Sequence, residues 1–542
     1  MVETLNRVAL HWMSNPHLAL EAQTKLMQHG VRVWTESMMR VANGESQTTK
    51  RDRRFADEDW AANPMFDFLR RAYEASVQAS RELVEEADDL DERTKAKAQF
   101  YLEQIAAAAS PSNFLFTNPE ALKRTVGTNG ENLVEGFRML AEDVSRGRGN
   151  LKLRQADAAN FELGRNVAVT PGRVIARNEL CEVIQYAAQT DQVLRRPLVI
   201  VPPWINKFYI LDLNAEKSFI DWSVKQGHTV FVISWAQPDE RHVKLGWADY
   251  ARDGIGFALD TAEKATNERE VNAIGYCVGG TLLAATLALH AKRGDERVRT
   301  ATLFTTQVDF EHAGDLKVFV DEEQLQALEK KMERKGYLEG GEMATAFNML
   351  RARDLIWSNV VNNYVLGKSP PAFDLLYWNS DSTRMSAANH SYYLRNCYLD
   401  NALTSGTMEL DGQRLNLSDV RIPIYNLATK EDHIAPAKSV YEGSKAFGGP
   451  VTYVMSGSGH IAGVVNPPAK KKYQFWTGAE PSDERTFKQW AEAAQETPGS
   501  WWEHWHAWIV KQDGDRVDAR EIGGGTLAPM EEAPGLYVRV KA

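Results

Sequence analysis

Val271-Asn272-Ala273-Ile274-Gly275-Tyr276-Cys277-Val278-Gly279-Gly280 is the stretch whose reading decides the fold. Residues 271–274 read as a short buried strand. Residues 280–289, Gly-Thr-Leu-Leu-Ala-Ala-Thr-Leu-Ala-Leu, read as a helix that keeps small residues against the turn. A strand-to-helix turn this tight forces Cys277 into a strained conformation and out into the open, while the flanking glycines let the two backbones approach without Cβ clashes. The side chain then stands at the positive end of a helix, a setting that favours the thiolate, which is the attacking species. A free cysteine is ordinarily a small buried hydrophobe, and Cys181 and Cys397 read that way. Cys277, with strand, turn and helix in agreement, reads as a nucleophile.

The chain has 542 residues, 43% hydrophobic and 25% charged, the composition of a globular protein with ample core. Single cores rarely grow past about 250–300 residues, so at least two domains are expected. A formal net charge of −10 argues against nucleic-acid binding, and no Cys/His spacing suits a metal. Three cysteines make no disulfide framework and fit a reducing cytoplasm. No basic-then-apolar leader is present, and no apolar run approaches the roughly 20 residues of a membrane span. Fifteen tryptophans imply extensive aromatic packing or a surface for something apolar.

Outward from the turn, two regions differ in pattern. Residues 1–160 read as a helical domain. Asn15-Pro16, Asn63-Pro64 and Asn118-Pro119 each precede a helical pattern, with Asn suited to capping and Pro to the first helical position. Met65, Phe66, Leu69, Tyr73, Val77 and Leu83 recur at the spacing of an amphipathic helix. Lys50-Arg51-Asp52-Arg53-Arg54 reads as an exposed loop. From about 161 strands alternate with helices, the pattern of an α/β sheet. Strands are expected at 198–201, 230–235, 271–276, 298–304, 422–427 and 451–455, mostly apolar runs suited to cover on both faces. The hundred-odd residues between 304 and 424 are too many for a simple connection, so 311–420 is expected to be a lid over the site. The tail, with Gly523-Gly524-Gly525, Pro529 and Pro534, reads as a loosely ordered extension.

Cysteine at a strand–turn–helix of this form is the nucleophile elbow of an α/β-hydrolase, where the chain order is nucleophile, acid, histidine. Asp432 follows the strand at 422–427 and His460 follows the one at 451–455, both where α/β sheets place ligand-contacting groups. Order, strand placement and the glycine-rich loop before His460 assign a Cys277–Asp432–His460 triad. His433 is the rival base, read as a structural support because adjacent loop residues point apart. An oxyanion hole needs two N–H groups. Val278 follows the nucleophile; the second donor must lie past Pro203 in Val201-Pro202-Pro203-Trp204-Ile205, because proline has no N–H, and Ile205 is favoured. Cysteine in place of serine keeps an acyl group activated as a thioester, which points to acyl transfer from a thioester donor.

At these residues the sequence resembles the polyhydroxyalkanoate synthases. The resemblance runs over most of the chain and includes Asn-Val-Ala-Val-Thr-Pro-Gly at 166–172 and Pro-Pro-Trp-Ile-Asn-Lys-Phe-Tyr-Ile-Leu-Asp-Leu at 202–213. It extends to the elbow at 275–280, Phe-Asp-Leu-Leu-Tyr-Trp-Asn-Ser-Asp at 373–381, and the Asp432-His433 and Gly459-His460 loops. The elbow wording and the long helical N-terminal region look most like class I synthases. That likeness implies a single subunit type that polymerises (R)-3-hydroxyacyl-CoA, chiefly 3-hydroxybutyryl-CoA. It also implies no cofactor (CoA being the leaving group), a homodimer, and residence in the cytoplasm on polyester granules, with granule-associated proteins as further partners. The family assigns the Asp432 position to activating the attacking hydroxyl, whereas a standard triad has it orient His460; both roles stay open here. Trp378 reads as packing and Asp381 as a cap or pocket wall. A cysteine thioesterase or polyester depolymerase of the same fold is the alternative. A non-catalytic granule scaffold comes last, because it has no need of all three triad residues.

Overall fold

The computed structural model describes residues 2–43 and 52–542. The chain divides into two compact units, one of Met1–Asp157 with Thr345–Ala372, the other of Ala158–Ala344 with Phe373–Ala542.

The first unit is helical. Asn63 and Asn118 accept from the N–H groups of Met65 and Ala121 and so cap the helices Pro64–Glu85 and Pro119–Gly127, each with proline at its start. Asn15 differs: its amide donates back to the His11 carbonyl, 2.9 Å away. Pro64–Glu85 buries Phe66, Asp67, Arg70, Ala79 and Val84, while Met65 is exposed. The buried stripe is therefore turned from the expected apolar one, because Asp67 pairs with both Arg70 and Arg71 and takes polar groups inside with it. Lys50 and Arg51 of the expected charged loop lie outside the described residues; Asp52 caps the short turn Arg53–Phe55.

The insertion expected over 311–420 is not one piece, since Thr345–Ala372 belongs to the helical unit. Asn132 donates to the Val365 carbonyl at 2.8 Å and Tyr364 to Asp143 at 2.7 Å. Gly136 packs on the Tyr364 backbone so closely that a Cβ would sit 2.1 Å from its carbonyl oxygen.

In the second unit, ten strands of the described residues form one sheet. In chain order they are β1 (Gly172–Arg177), β2 (Cys181–Tyr186), β3 (Leu198–Val201), β4 (Val230–Trp235) and β5 (Val271–Tyr276), then β6 (Val298–Phe304), β7 (Ile424–Thr429), β8 (Val451–Ser456), β9 (Gln474–Thr477) and β10 (Gln495–Pro498). The spatial order is β1-β2-β4-β3-β5-β6-β7-β8-β9-β10. From β4 through β8 all neighbours are parallel; β1, β2, β9 and β10 add antiparallel edges. The fully buried β3, β5 and β7 are mostly apolar because both faces are covered. β7 starts two residues later than expected, since Pro423 has no N–H for the ladder.

Most of the tryptophans are core. Phe219 lies 5.9, 5.2 and 5.1 Å from the rings of Trp501, Trp502 and Trp505, and all three indoles are fully buried. Trp501 and Trp502 donate to the carbonyls of Gly463 and Val464, which pins the loop that follows β8.

The tail is not a loose extension. Met530 and Glu531 exchange backbone hydrogen bonds with Val174 of β1 at 2.7 and 2.9 Å. The buried Glu182 carboxylate accepts from the N–H groups of Leu536 and Tyr537, and Val538 is 1% exposed. Buried acceptors inside the sheet bind this segment, so its glycines and prolines shape a course instead of loosening it.

The close approach of β5 to the following helix, Val278–Arg293, is the tightest packing constraint at the turn. A Cβ on Gly275 would stand 2.4 Å from the Gly280 Cα, with backbone on both sides and nothing flexible to yield. We expect Gly275→Ala to cost about 3 kcal/mol or more, seen as a lower thermal midpoint and less soluble protein. An unchanged midpoint would contradict the packing described.

Candidate active site

Cys277 links β5 to the helix Val278–Arg293 with φ +52° and ψ −126°, a conformation that L-residues rarely adopt and that marks a strained turn. The turn is held from both sides. The Cys277 N–H donates to the Phe304 carbonyl of β6 at 2.9 Å, and its carbonyl accepts from the N–H groups of Gly280 and Thr281. Cys277 is half-buried, whereas Cys181 and Cys397 are buried. Burial pushes both of those thiols well above the ordinary range, which leaves them unreactive.

Asp432 and His460 are brought together as the sequence predicts. The His460 Nδ1 lies 2.7 Å from Asp432 Oδ2; an ionised carboxylate only accepts, so Nδ1 carries the proton. Asp432 is saturated: Oδ1 accepts from the N–H groups of Ile434 and Ala435 at 2.8 and 2.9 Å, and Oδ2 from the Thr429 hydroxyl at 3.2 Å. Cys277 is the other group that acts on the imidazole. Burial alone would lower the His460 pKa, but the negative charges of Asp432 and Cys277 outweigh it and push it up to about 10.

Tyr276, beside the nucleophile, donates its phenol to the His460 carbonyl at 3.2 Å, and its ring stacks on the imidazole at 5.8 Å. Sequence reasoning gave it no role, although its place next to Cys277 was the available signal. From the insertion, Tyr393 and Tyr398 lie within electrostatic reach of Cys277. Their rings are 5.4 Å apart, and Phe310 packs on both. From the sequence this stretch was legible only as a lid, without these contacts.

Val278 is the first residue of its helix, where N–H groups lack an intrahelical acceptor. The loop after β3 is pressed onto the start of the same helix. A Cβ on Gly279 would be 2.5 Å from the carbonyl oxygens of both Val201 and Pro202, so glycine is what admits the loop that carries Ile205. His433 is half-buried and uses its carbonyl to accept from the Asp315 N–H; the residue against His460 is Asp432. Trp378 is packing, 4% exposed, with its indole donating to the Lys207 carbonyl at 2.8 Å. Asp381 is the C-cap of the helix Asp374–Ser380, its N–H donating to the Trp378 carbonyl at 3.0 Å. It is a buried carboxylate paired with Lys207 and Lys541, because those cations and the Tyr209 hydroxyl converge on it. No group of metal-ligating side chains occurs among the described residues, and no described helix is long and apolar enough to cross a membrane.

The fold and the turn define an α/β-hydrolase, and the sequence profile described as "alpha/beta hydrolase fold" matches residues 197–467. The profile described as "Poly-beta-hydroxybutyrate polymerase (PhaC) N-terminus" matches residues 51–223. The chain is 60% identical over 546 residues to the poly(3-hydroxyalkanoate) polymerase subunit PhaC of Rhizobium meliloti, covering all of this chain and 89% of that one. It is 61% identical to the subunit of the same name from Rhizobium etli (99% and 86% covered) and 40% identical to that of Cupriavidus necator (93% and 86%). This chain therefore belongs to the poly(3-hydroxyalkanoate) polymerase family, acyltransferases built on the α/β-hydrolase fold.

A His460 pKa raised from about 6.5 in the unfolded chain to about 10 has a definite consequence for stability. The contribution is complete below about pH 6.5 and is lost as pH climbs through about 10. We expect the thermal midpoint to fall between pH 7 and pH 10 more steeply in the wild type than in His460→Gln. Parallel profiles would contradict the coupling of His460 to Asp432 and Cys277.

Proposed function

We propose that this chain polymerises (R)-3-hydroxyacyl-CoA, chiefly 3-hydroxybutyryl-CoA, into polyhydroxyalkanoate with release of CoA, through an acyl thioester on Cys277. Family membership carries the polymerisation. The observation that supports the chemistry is a half-buried cysteine at a strained helix start, together with a buried imidazole held by Asp432 at 2.7 Å.

In this reading the thiol's proton already rests on His460, where the raised pKa holds it, and the sulfur attacks the thioester carbonyl. The N–H groups of Val278 and Ile205 donate to the oxygen as it becomes negative. CoA then leaves with the proton that His460 returns. One thioester has replaced another, so the acyl group stays activated and no cofactor is needed. The hydroxyl of another hydroxyacyl unit next attacks an acyl thioester and gives its proton to the base; the carbon–sulfur bond breaks, the released thiolate takes that proton, and the oxoester formed lengthens the chain. We assign that base to His460 and leave Asp432 as its orienting partner. Both carboxylate oxygens are already engaged by N–H, hydroxyl and imidazole groups, so a direct attack on a hydroxyl proton would mean giving up a contact.

The stretch of the insertion that bears Tyr393 and Tyr398, with Phe310 packed on both rings, serves as the lid that keeps water from the acyl-enzyme. His433 supports the loop. The substrate preference, a homodimer, residence in the cytoplasm on polyester granules, attachment through the growing polymer and the helical unit, and contacts with granule-associated proteins follow from the likeness to class I synthases and belong to the same proposal.

With (R)-3-hydroxybutyryl-CoA we expect thiol release together with insoluble polyester. Monomeric hydroxyacid as the only product would make the chain a thioesterase. Cys277→Ala is expected to release no CoA, and near-normal turnover in it would sink the covalent route. Asp432→Asn should slow acylation and elongation alike, by about 10⁴-fold if it acts as in other triads. Intact acylation with blocked elongation would instead make Asp432 the hydroxyl's base.

A further inference from the structure

Lys207 is a lone cation in the apolar run 202–211, Pro-Pro-Trp-Ile-Asn-Lys-Phe-Tyr-Ile-Leu, and it is 6% exposed. Its ammonium has three N–H groups and three partners. It donates to the carbonyls of Val538 and Val540 at 2.7 and 2.9 Å and pairs with Asp381 Oδ1 at 2.9 Å. Asp381 also accepts from the Tyr209 hydroxyl at 2.9 Å and from Lys541 at 2.9 Å. Two of the three Lys207 partners are thus backbone atoms of the last five residues, more than 300 positions along the chain.

The loop that ends at Lys207 begins on the start of the helix Val278–Arg293, with the Pro202 carbonyl against Gly279. Its far side is tied to the segment after 373. Trp378 donates to the Lys207 carbonyl at 2.8 Å, the Thr383 hydroxyl to the Ile205 carbonyl at 2.7 Å, and Asn206 bridges antiparallel to Ser382. The peptide that carries the Ile205 N–H is therefore gripped at both ends, and the Lys207 ammonium joins the ties at its C-terminal end. The tail does not need Lys207 to stay in place, because Glu182 binds Leu536 and Tyr537 independently and Arg539 donates to the Leu163 carbonyl.

We propose that the C-terminal segment 538–541 and Lys207 are positioning elements of the active site, which hold the 202–207 loop so that the Ile205 N–H points at the developing oxyanion. This rests on the reading of Ile205 as an oxyanion donor. An apolar residue at 207 would fill the same volume. It would lack the three directed donors that fix where the loop ends, and a displaced donor loses most of its value for a charge that appears only in the transition state.

The test compares two reactions of the same thiol in the full chain. First-turnover CoA release from (R)-3-hydroxybutyryl-CoA passes through an oxyanion. Alkylation of Cys277 by iodoacetamide forms a carbon–sulfur bond, expels iodide and makes no oxyanion. Lys207→Met is expected to slow CoA release by about 10- to 100-fold, with alkylation within about twofold of wild type. Lys207→Gln keeps two donors without a charge to bury; it should fold where Met does not, and show the same split at smaller size. Equal slowing of both reactions would overturn the inference by making Lys207 a support of the fold or of the thiol itself. Unchanged rates in both would overturn it as well. Cys277→Ala run alongside separates the two readings. CoA release by that variant sinks the covalent route itself, whereas its silence together with wild-type rates in Lys207→Met sinks only the role given to Lys207.

Discussion

The site depends on one close approach, that of the strand Val271–Tyr276 to the helix Val278–Arg293 across a single residue. Three positions at this turn have no room for a side-chain carbon. Gly275 faces Gly280, Gly279 faces the carbonyls of Val201 and Pro202, and Gly280 faces Thr306. Cys277 takes up the resulting strain with a positive φ. In exchange Cys277 stands half-buried at a helix start, while its N–H and carbonyl are fixed by hydrogen bonds to the neighbouring strand and to its own helix. A Cβ at 275 or 279 would part the strand from the helix or lift the loop from the helix start. Either change would move the thiol relative to the groups that face it.

Those facing groups come from far along the chain, and the parallel sheet delivers them. β7 and β8 are neighbours in register, so the loops that leave their carboxyl ends meet, which sets Asp432 against His460. Trp501 and Trp502 then hold the far side of the histidine loop through Gly463 and Val464. The pair is buried, so its electrostatics are strong, and the imidazole keeps its proton far above the range of a free histidine. An acceptor as fully occupied as Asp432 is fixed in place, which suits a group that orients a base. Cysteine completes the logic: passing an acyl group from one thioester to another wastes little free energy, and the later step to an oxoester drives the chain forward.

Much of this was legible because buried parallel strands are written as mostly apolar runs; 198–201, 230–235, 271–276 and 298–304 could be read directly. The triad was legible too, since the nucleophile's turn has a demanding local signature and the other two residues follow strands in a fixed order. Interactions between distant segments were not. Nothing local says that Thr345–Ala372 leaves the sheet unit for the helical one, or that the glycine- and proline-bearing tail is bound by Glu182 and Lys207. The tail's composition resembles a loose end, and only its partners, some 350 residues away, make it a fixed one. Asp381 was singled out without its cations. Lys207 did carry a signal: a single ammonium inside an apolar run must find acceptors when it is buried.

The central claim is a covalent acyl thioester on Cys277, and its most direct measurement is peptide mass spectrometry after mixing the full chain with butyryl-CoA. That donor lacks the 3-hydroxyl, so an acyl group once transferred cannot be extended. The account predicts one butyryl group on the peptide that contains Cys277, removable by neutral hydroxylamine as a thioester is, and none on Cys181 or Cys397. CoA released with no acyl group on Cys277, or an acyl group found only elsewhere, would contradict it.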